Sequence, residues 1–200
     1  MNKILLIVIL VGILIYFLSR RVMMKGKSTA VQKSNKQGYF LVESGAPIIQ
    51  RTIKNTLFSV GIGVVLFIIT IVLAMKVKII LFMLPISLYL MSQLFLLNNQ
   101  LKYAKDQRIW FNPNTNDVLI EWLSGNKVSF NLLRDVQQVR AVKSVQKNNQ
   151  ILFGYYELSV HNNQVFVPFI LEDNQMNTRF FKTMKENYAI SPKSSLYPII

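Results

Sequence analysis

The stretch LAMKVKIILF, Leu73–Phe82, sets two lysines between long apolar runs, and it decides how the chain is organised. Residues 57–75 carry no charge, and residues 77–97 carry one, Lys78, near their start. Each run is long enough to cross the hydrocarbon core of a bilayer, which takes about 20 apolar residues. Neither run has the polar side that a surface helix of a soluble protein needs. The stretch therefore predicts the tip of a transmembrane hairpin, with Lys76 and Lys78 at the membrane surface.

A third apolar run, Ile4–Leu18, lies near the start of the sequence and also carries no charge. As a helix it spans roughly 22 Å of the ~30 Å core, and Lys3 and Arg20 can reach outward to cover the difference. A cleaved signal peptide is the alternative, since it also has a basic start and a short apolar run. The only A-x-A-like cleavage site, at 28–30, lies beyond a basic patch. We therefore expect an uncleaved anchor, and three transmembrane helices in all.

The charge of the chain is strongly uneven, with 23 Lys and Arg against 9 Asp and Glu. Eight of the basic residues lie in 19–56, and the positive-inside rule places this loop in the cytoplasm. The tip of the hairpin is then outside, and the third helix returns residues 98–200 to the cytoplasm. We therefore expect a multi-pass protein of the cell inner (cytoplasmic) membrane of a bacterium, with a cytoplasmic C-terminal domain.

The basic loop begins with RRVMMKGK, a segment that also suits contact with anionic lipid headgroups, worth about 1 kcal/mol per basic residue near the surface. Its charged residues are Arg20, Arg21, Lys25 and Lys27. The alternative is that the topology of the chain alone requires these charges. Nucleic-acid binding is not expected, because the excess charge lies beside membrane segments and no aromatic-basic module accompanies it.

The residue types that carry chemistry are scarce. The chain has no cysteine, which excludes a disulfide framework, a thiolate metal site and a cysteine nucleophile. Its single histidine, His161, lies in the turn HNNQ, and no His, Asp and Glu cluster is spaced for a metal. No glycine motif for a phosphate is present, and no ionisable residue lies deep in the apolar runs. We therefore expect no catalytic site, no cofactor and no metal, and a protein that is not an enzyme.

The part of the chain that follows Arg108 changes to short apolar runs with Asn, Asp and Gly between them. This pattern is typical of an antiparallel meander, with predicted strands at 108–111, 118–123, 128–130, 136–146, 152–160 and 165–170. Valines recur every third residue in 136–146, so a helix is an alternative there, but the β-branched content favours a strand with a bulge. Pro168 predicts an edge strand or a bulge.

A C-terminal helix is predicted over 174–188, because apolar residues recur at every fourth position there. The stripe consists of Met176, Phe180, Met184 and Tyr188, with Phe181 beside it. Such a helix would cover an open sheet or close one end of a barrel. The tail 191–200 is too short to fold, and its apolar end is expected to pack on the domain or to dock elsewhere.

A meander closed by one amphipathic helix, directly after a membrane hairpin, resembles the bacterial membrane proteins that carry a pleckstrin-homology-like (PH-like) domain. The likeness covers 57–188. Beside the hairpin it rests on RIWFNPNTNDVLIEWLSGNKVSFNLLRDVQQV, on the pair YYELSV and VFVPFI, and on the helix FFKTMKENY. The resemblance implies a half-barrel that serves as a scaffold for peptides or lipid headgroups.

The predicted organisation is an anchor and basic loop in 1–56, the hairpin in 57–97, a PH-like α+β domain in 98–190 and the tail. The lipid bilayer and a protein partner or a second copy are the expected partners. Four aromatic residues are candidates for a partner surface, with core packing as the alternative: Trp110, Trp122, Tyr155 and Tyr156. We expect an assembly or interaction module. The alternatives are a small subunit of a membrane transport or secretion complex, and an accessory of a membrane enzyme or a lipid-handling protein.

Overall fold

The computed structural model describes Gly12 and residues 38–148, 151–161 and 163–200. The predicted anchor 4–18, apart from Gly12, and the four basic residues that were expected to contact lipid lie outside this part of the chain. The described chain forms two compact units. One contains Thr52–Asn98, and the other contains 38–51 together with Asn99–Ile200.

The two predicted apolar helices are present, as α1 (Ala46–Ala74) and α2 (Leu84–Asp106), with a short 3-10 helix, Lys78–Met83, before α2. Two spans, Ala46–Ala74 and Lys78–Asp106, are long and apolar enough to cross a membrane, and the second includes the 3-10 helix. Only 17% and 22% of their most apolar windows is buried. A core helix of a soluble protein would be mostly buried, so these helices present apolar side chains to their surroundings. The first helix begins well before its apolar run and the second ends well after its own, because the polar residues at these ends are also compatible with a helix.

Close packing joins the two helices at Gly63. A Cβ atom at this position would lie 2.7 Å from the Leu90 Cβ, 3.0 Å from the Met91 nitrogen and 3.1 Å from the Ser87 oxygen. The backbones can approach this closely only because Gly63 has no side chain, which is a common feature of membrane helix pairs. The chain reverses at Leu73, whose carbonyl accepts from the N–H groups of residues 76 and 77 at 3.0 and 2.9 Å.

Small hydroxyl residues occupy other buried positions of α1 and α2. Thr70 donates to the carbonyl of Leu66 at 2.8 Å, and Ser87 donates to the carbonyl of Leu84 at 2.8 Å. Bonds of this kind satisfy a hydroxyl group within its own helix, so that it can be buried without a partner from elsewhere.

The second unit contains eight strands in two sheets, and most of the strand pairs are antiparallel. One sheet has the order β1-β2-β3-β4 and the other has the order β7-β6-β5-β8. The strands are β1 (Phe40–Val42), β2 (Gln107–Phe111), β3 (Asp117–Trp122), β4 (Lys127–Asn131), β5 (Val136–Asn148), β6 (Ile151–Val160), β7 (Asn163–Pro168) and β8 (Ser191–Ser195). All six predicted strands are present with bounds shifted by a few residues.

The structure answers three details of the strand predictions. The 136–146 segment is a strand with register shifts between Val136 and Gln138 and between Lys143 and Lys147, so the helix alternative is wrong. Pro168 ends β7, an edge strand, as predicted. The residues after it, Phe169–Leu171, form a 3-10 turn instead of continuing the strand.

Two strands, β1 and β8, were not predicted. β1 is three residues long and pairs with β2, with Phe40 opposite Phe111. β8 pairs in parallel with β5, from Ser191 opposite Arg140 to Ser195 opposite Ser144. The prediction that the tail is too short to fold is therefore wrong. Its polar sequence shows no strand periodicity, and the edge of β5 supplies the backbone partners instead.

The C-terminal helix α3 spans Thr178–Asn187 and buries Phe180, Phe181 and Met184. The ring of Phe180 lies 5.3 Å from the ring of Phe111 in β2, which joins the helix to the core of the first sheet. Met176 was assigned to the apolar stripe, but it is 80% exposed. It lies in the 3-10 turn Gln175–Asn177 before the helix begins, so the α-helical spacing does not apply to it.

Candidate interaction site

The hairpin between β3 and β4 forms one wall of a cleft of about 500 Å³, which we call the Trp122 cleft. The Trp122 N–H donates to the carbonyl of Asn126 at 2.9 Å, and Gly125 adopts a φ of 93° that favours glycine. The opposite wall is the start of β7. The cleft is lined by Trp122, Ser124, Asn126, Lys127, Val128, Asn163, Gln164 and Val165.

Both strands that line the Trp122 cleft are edge strands. β4 ends the first sheet and β7 ends the second, so neither has a strand on its outer side within the described residues. An edge strand presents backbone N–H and C=O groups that can pair with another chain. The cleft therefore lies between two open sheet edges.

The lining of the cleft combines apolar and hydrogen-bonding groups. Val165 is buried, while Trp122 and Val128 are partly exposed. Around them lie the hydroxyl of Ser124 and the side-chain amides of residues 126, 163 and 164. A small apolar floor with polar groups around it is the usual composition of a binding cleft.

Gln107 lies beside the cleft, as the cross-strand neighbour of Trp122. It is 5% exposed, and within the described chain neither its amide nitrogen nor its amide oxygen has a hydrogen-bond partner. Burying a polar group without a partner costs about 1–3 kcal/mol. Gln107 does not itself line the cleft, so this cost is borne inside the sheet behind Trp122.

A second cleft, of about 530 Å³, lies on the other side of Trp122 and is walled by the end of α2 and by the last residues of the chain. Asn99 donates to the carbonyl of Ile200 at 3.1 Å and accepts from its N–H at 3.0 Å. Gln100 donates to the carbonyl of Pro198 at 2.9 Å. The apolar end of the tail therefore packs on its own domain, which was one of the two expectations.

The four aromatic candidates are not gathered at one surface. Trp110 is buried on the opposite face of the sheet from Trp122, and its Nε1 donates to Glu121 at 3.1 Å. Tyr156 is buried as well, and Tyr155 is half-buried with its ring 5.4 Å from the ring of Phe166. Trp122 is the candidate that lines a cleft, and Trp110 and Tyr156 belong to the core.

Tyr156 belongs to a polar cluster that links β6 to the C-terminal helix. Its hydroxyl donates to Glu172 at 2.6 Å, and Lys185 pairs with the same carboxylate and lies 5.9 Å from the centre of the tyrosine ring. Burial, together with the neighbouring Glu172, raises the pKa of Tyr156 well above its ordinary value of 10.0. This hydrogen bond therefore ties β6 to the segment that precedes the C-terminal helix.

A polar cluster also fixes the loops at the other end of the domain. The side-chain amide of Asn131 donates to the carbonyl of Thr115 at 2.8 Å and to Asp117 at 2.9 Å, while its oxygen accepts from two N–H groups of the next turn. Hydrogen bonds from Thr115 and Asn131 lower the pKa of Asp117. All of these hydrogen bonds lie within the turns that they stabilise. The Trp122 cleft therefore remains the candidate site.

The residues that sequence reasoning missed are Gln107 and the amide side chains of β7 and of the β3–β4 turn. The sequence marks these positions only by the asparagines of the two turns. It does not show that they lie together, because β4 and β7 belong to different sheets. Among the described residues, no group of three His, Cys, Asp or Glu could hold a metal ion. Comparison of the chain with protein-family models, curated proteins and solved structures found no match.

Proposed function

We propose that this chain is a non-enzymatic integral membrane protein of the bacterial inner membrane, and that its PH-like domain is a cytoplasmic assembly or interaction module. The observation that supports this most directly is the Trp122 cleft, which lies between two sheet edges that no other described strand covers. The arrangement suits recognition of a partner better than chemistry on a substrate.

The membrane part of the proposal is supported by the exposed apolar side chains of the helical unit. Phe58, Ile79 and Phe82 are 63%, 70% and 77% exposed. Contiguous apolar surface of this kind is unfavourable in water and is normal in contact with acyl chains. The cytoplasmic side is inferred from the basic residues in 19–56, because positive loops are retained inside.

The PH-like part of the proposal is supported by the order of the elements. Three strands of one sheet, β2 to β4, are followed by three strands of the other, β5 to β7, and then by α3. The helix fills the core with Phe180 and Phe181, whose rings lie 5.1 Å apart. A meander closed by one C-terminal helix is what the resemblance implies.

Site-specific photo-crosslinking in native membranes tests the interaction role. A photo-reactive amino acid replaces Asn126 or Gln164 at the cleft, and Asn114, an exposed turn residue outside it, is the matched control. We expect one discrete protein adduct from the cleft positions and none from the control. Equal labelling at all three positions, or no protein adduct at all, contradicts the proposal.

Two further measurements separate the remaining possibilities. Protease added to intact spheroplasts should leave 98–200 undigested, and digestion without lysis contradicts the cytoplasmic location. Purification in mild detergent distinguishes a module that binds through the cleft from a subunit of a transport or secretion complex. In the second case the complex survives changes in the cleft and is lost when the hairpin is altered.

A further inference from the structure

We infer that the Trp122 cleft receives an extended segment of a partner polypeptide, which adds to the first sheet as a strand beside β4. This inference rests on the proposed function and names the kind of partner and the way in which it is held.

The two edges at the cleft are not equivalent. β7 ends in Pro168, which has no N–H to donate, whereas β4 contains no proline.

The backbone groups that β4 offers follow from its register with β3. The Trp122 N–H bonds to the Asn126 carbonyl, and bonded and non-bonded pairs alternate along an antiparallel ladder from there. Val128, opposite Ile120, is therefore bonded to β3. Lys127 and Ser129 turn their N–H and C=O groups outward, away from the sheet.

Among the described residues, no strand covers the outward edge of β4, and this edge is open over a defined length. Asn131 is the next residue that turns outward, and its N–H already donates to the Asp135 carboxylate at 2.6 Å. The open groups are thus the N–H and C=O of Lys127, which lines the cleft, and of Ser129, which lies two residues further along β4. An added strand would run along these two residues and over the Trp122 cleft.

The domain already holds one edge strand whose own side chains are mostly exposed. Ser191–Ser194 of β8 are exposed, and yet this strand pairs with five consecutive residues of β5. The tail thereby closes the edge of the second sheet that lies away from the cleft. At β1, the other end of the first sheet, the carbonyl of Glu43 next to the strand accepts from Asn174 and Asn177 at 2.7 and 2.9 Å.

The side chains around the open edge indicate which sequences would fit. Successive residues of an added strand point to opposite faces, so one set meets Trp122 and Val128 and should be apolar. Lys127 is mostly exposed and pairs with Glu121 at 3.0 Å, so the cleft makes little demand for an acidic partner. The partner segment is therefore extended, free of proline over the paired residues, and alternately apolar and polar.

The deciding comparison is Ser129→Pro against Ser129→Ala in the full-length protein in native membranes. Ser129 is exposed, and its N–H points away from β3, so proline removes an outward donor without breaking the β3–β4 ladder. The alanine variant retains the N–H and controls for loss of the hydroxyl. With the photo-reactive residue at position 164, we expect Ser129→Pro to lower the yield of the protein adduct at least about tenfold and Ser129→Ala to leave it unchanged.

Mass spectrometry of the adduct identifies the occupant. A proline-free alternating segment of another protein supports the inference, whereas a crosslink to a second copy of this chain or to a lipid headgroup overturns it. If the adduct persists in the proline variant, strand addition is wrong while the interaction module stands. If no protein adduct forms even in the unaltered cleft, the proposed function itself fails.

Hydrogen exchange on the unaltered protein provides a second test in case the proline variant does not fold. The amides of Lys127 and Ser129 should be protected in native membranes and should exchange at least about tenfold faster after the partner is removed by detergent. The Val128 amide, which bonds to β3, should change little. Protection of all three amides to the same extent contradicts the inference, because it would report folding and not pairing at the edge.

Discussion

The close approach of the two apolar helices at Gly63 gives the sharpest test of the hairpin. Alanine at this position would place a Cβ 2.7 Å from the Leu90 Cβ, whereas two carbon atoms in contact prefer a separation of about 3.5–4.0 Å. The helices would have to separate by roughly 1 Å or strain their backbones. Overpacking of this kind costs about 1–3 kcal/mol.

Gly61 is a matched control two residues earlier in the same helix. A Cβ atom there meets nothing within 4 Å. Both substitutions give the same gain in intrinsic helix propensity, at most about 1 kcal/mol, so this gain cancels when the two variants are compared. We therefore expect Gly63→Ala to be less stable than Gly61→Ala by about 1–3 kcal/mol.

The assay is unfolding of the purified protein in mixed micelles by increasing sodium dodecyl sulfate, followed by the far-ultraviolet circular dichroism of the helices. Replacement of Gly63 by leucine should widen the difference from the corresponding Gly61 variant, because a larger side chain needs a larger separation. If the two alanine variants unfold within about 0.5 kcal/mol of each other, the helices do not approach closely at this position and the reasoning is wrong.

Three predictions concern the strand-rich unit, whose two tryptophans provide the fluorescence signal for urea unfolding of the full-length protein. Gly154→Ala would place a Cβ 2.3 Å from the backbone oxygen of Val142, and we expect a loss of about 2–4 kcal/mol, which an unchanged midpoint would disprove. Asn177→Ala removes a fully buried amide with two carbonyl partners and should cost about 2–3 kcal/mol, against less than about 0.5 kcal/mol for the exposed Asn187→Ala. The raised pKa of Tyr156 means that the folded state keeps this proton longer than the unfolded state, so its contribution is complete below pH 10.0 and is lost as the pH rises above that value. Tyr156→Phe should flatten this alkaline decline, and an identical pH profile in both proteins would show that Tyr156 does not cause it.

Most of the sheet could be predicted because its signals are local. From Arg108 to Pro168, each strand has its own apolar residues and is bounded by turn residues, so its position does not depend on its neighbours. β1 and β8 lack such signals. Phe40–Val42 is recognisable only through its partner in β2, and SPKSS becomes a strand only because β5 offers an edge.

The candidate site was predictable only in part, for the same reason. Trp122 is a conspicuous aromatic residue, and the structure places it at a cleft, while its contact with a partner stays a prediction. Trp122 differs from Trp110 in the face of the sheet on which it lies. The alternation of residues along a strand assigns them to two faces but does not say which face other parts of the domain cover. Likewise, the sequence does not show that Lys127 and Gln164 line the same cleft, because that arrangement depends on how two separate sheets end.

The pairing of β1 with β2 has a consequence for biogenesis. Val42 is opposite Ile109, and the whole hairpin lies between these two residues in the chain. When β1 leaves the ribosome its partner strand has not been synthesised, so the first sheet can be completed only after both helices have emerged.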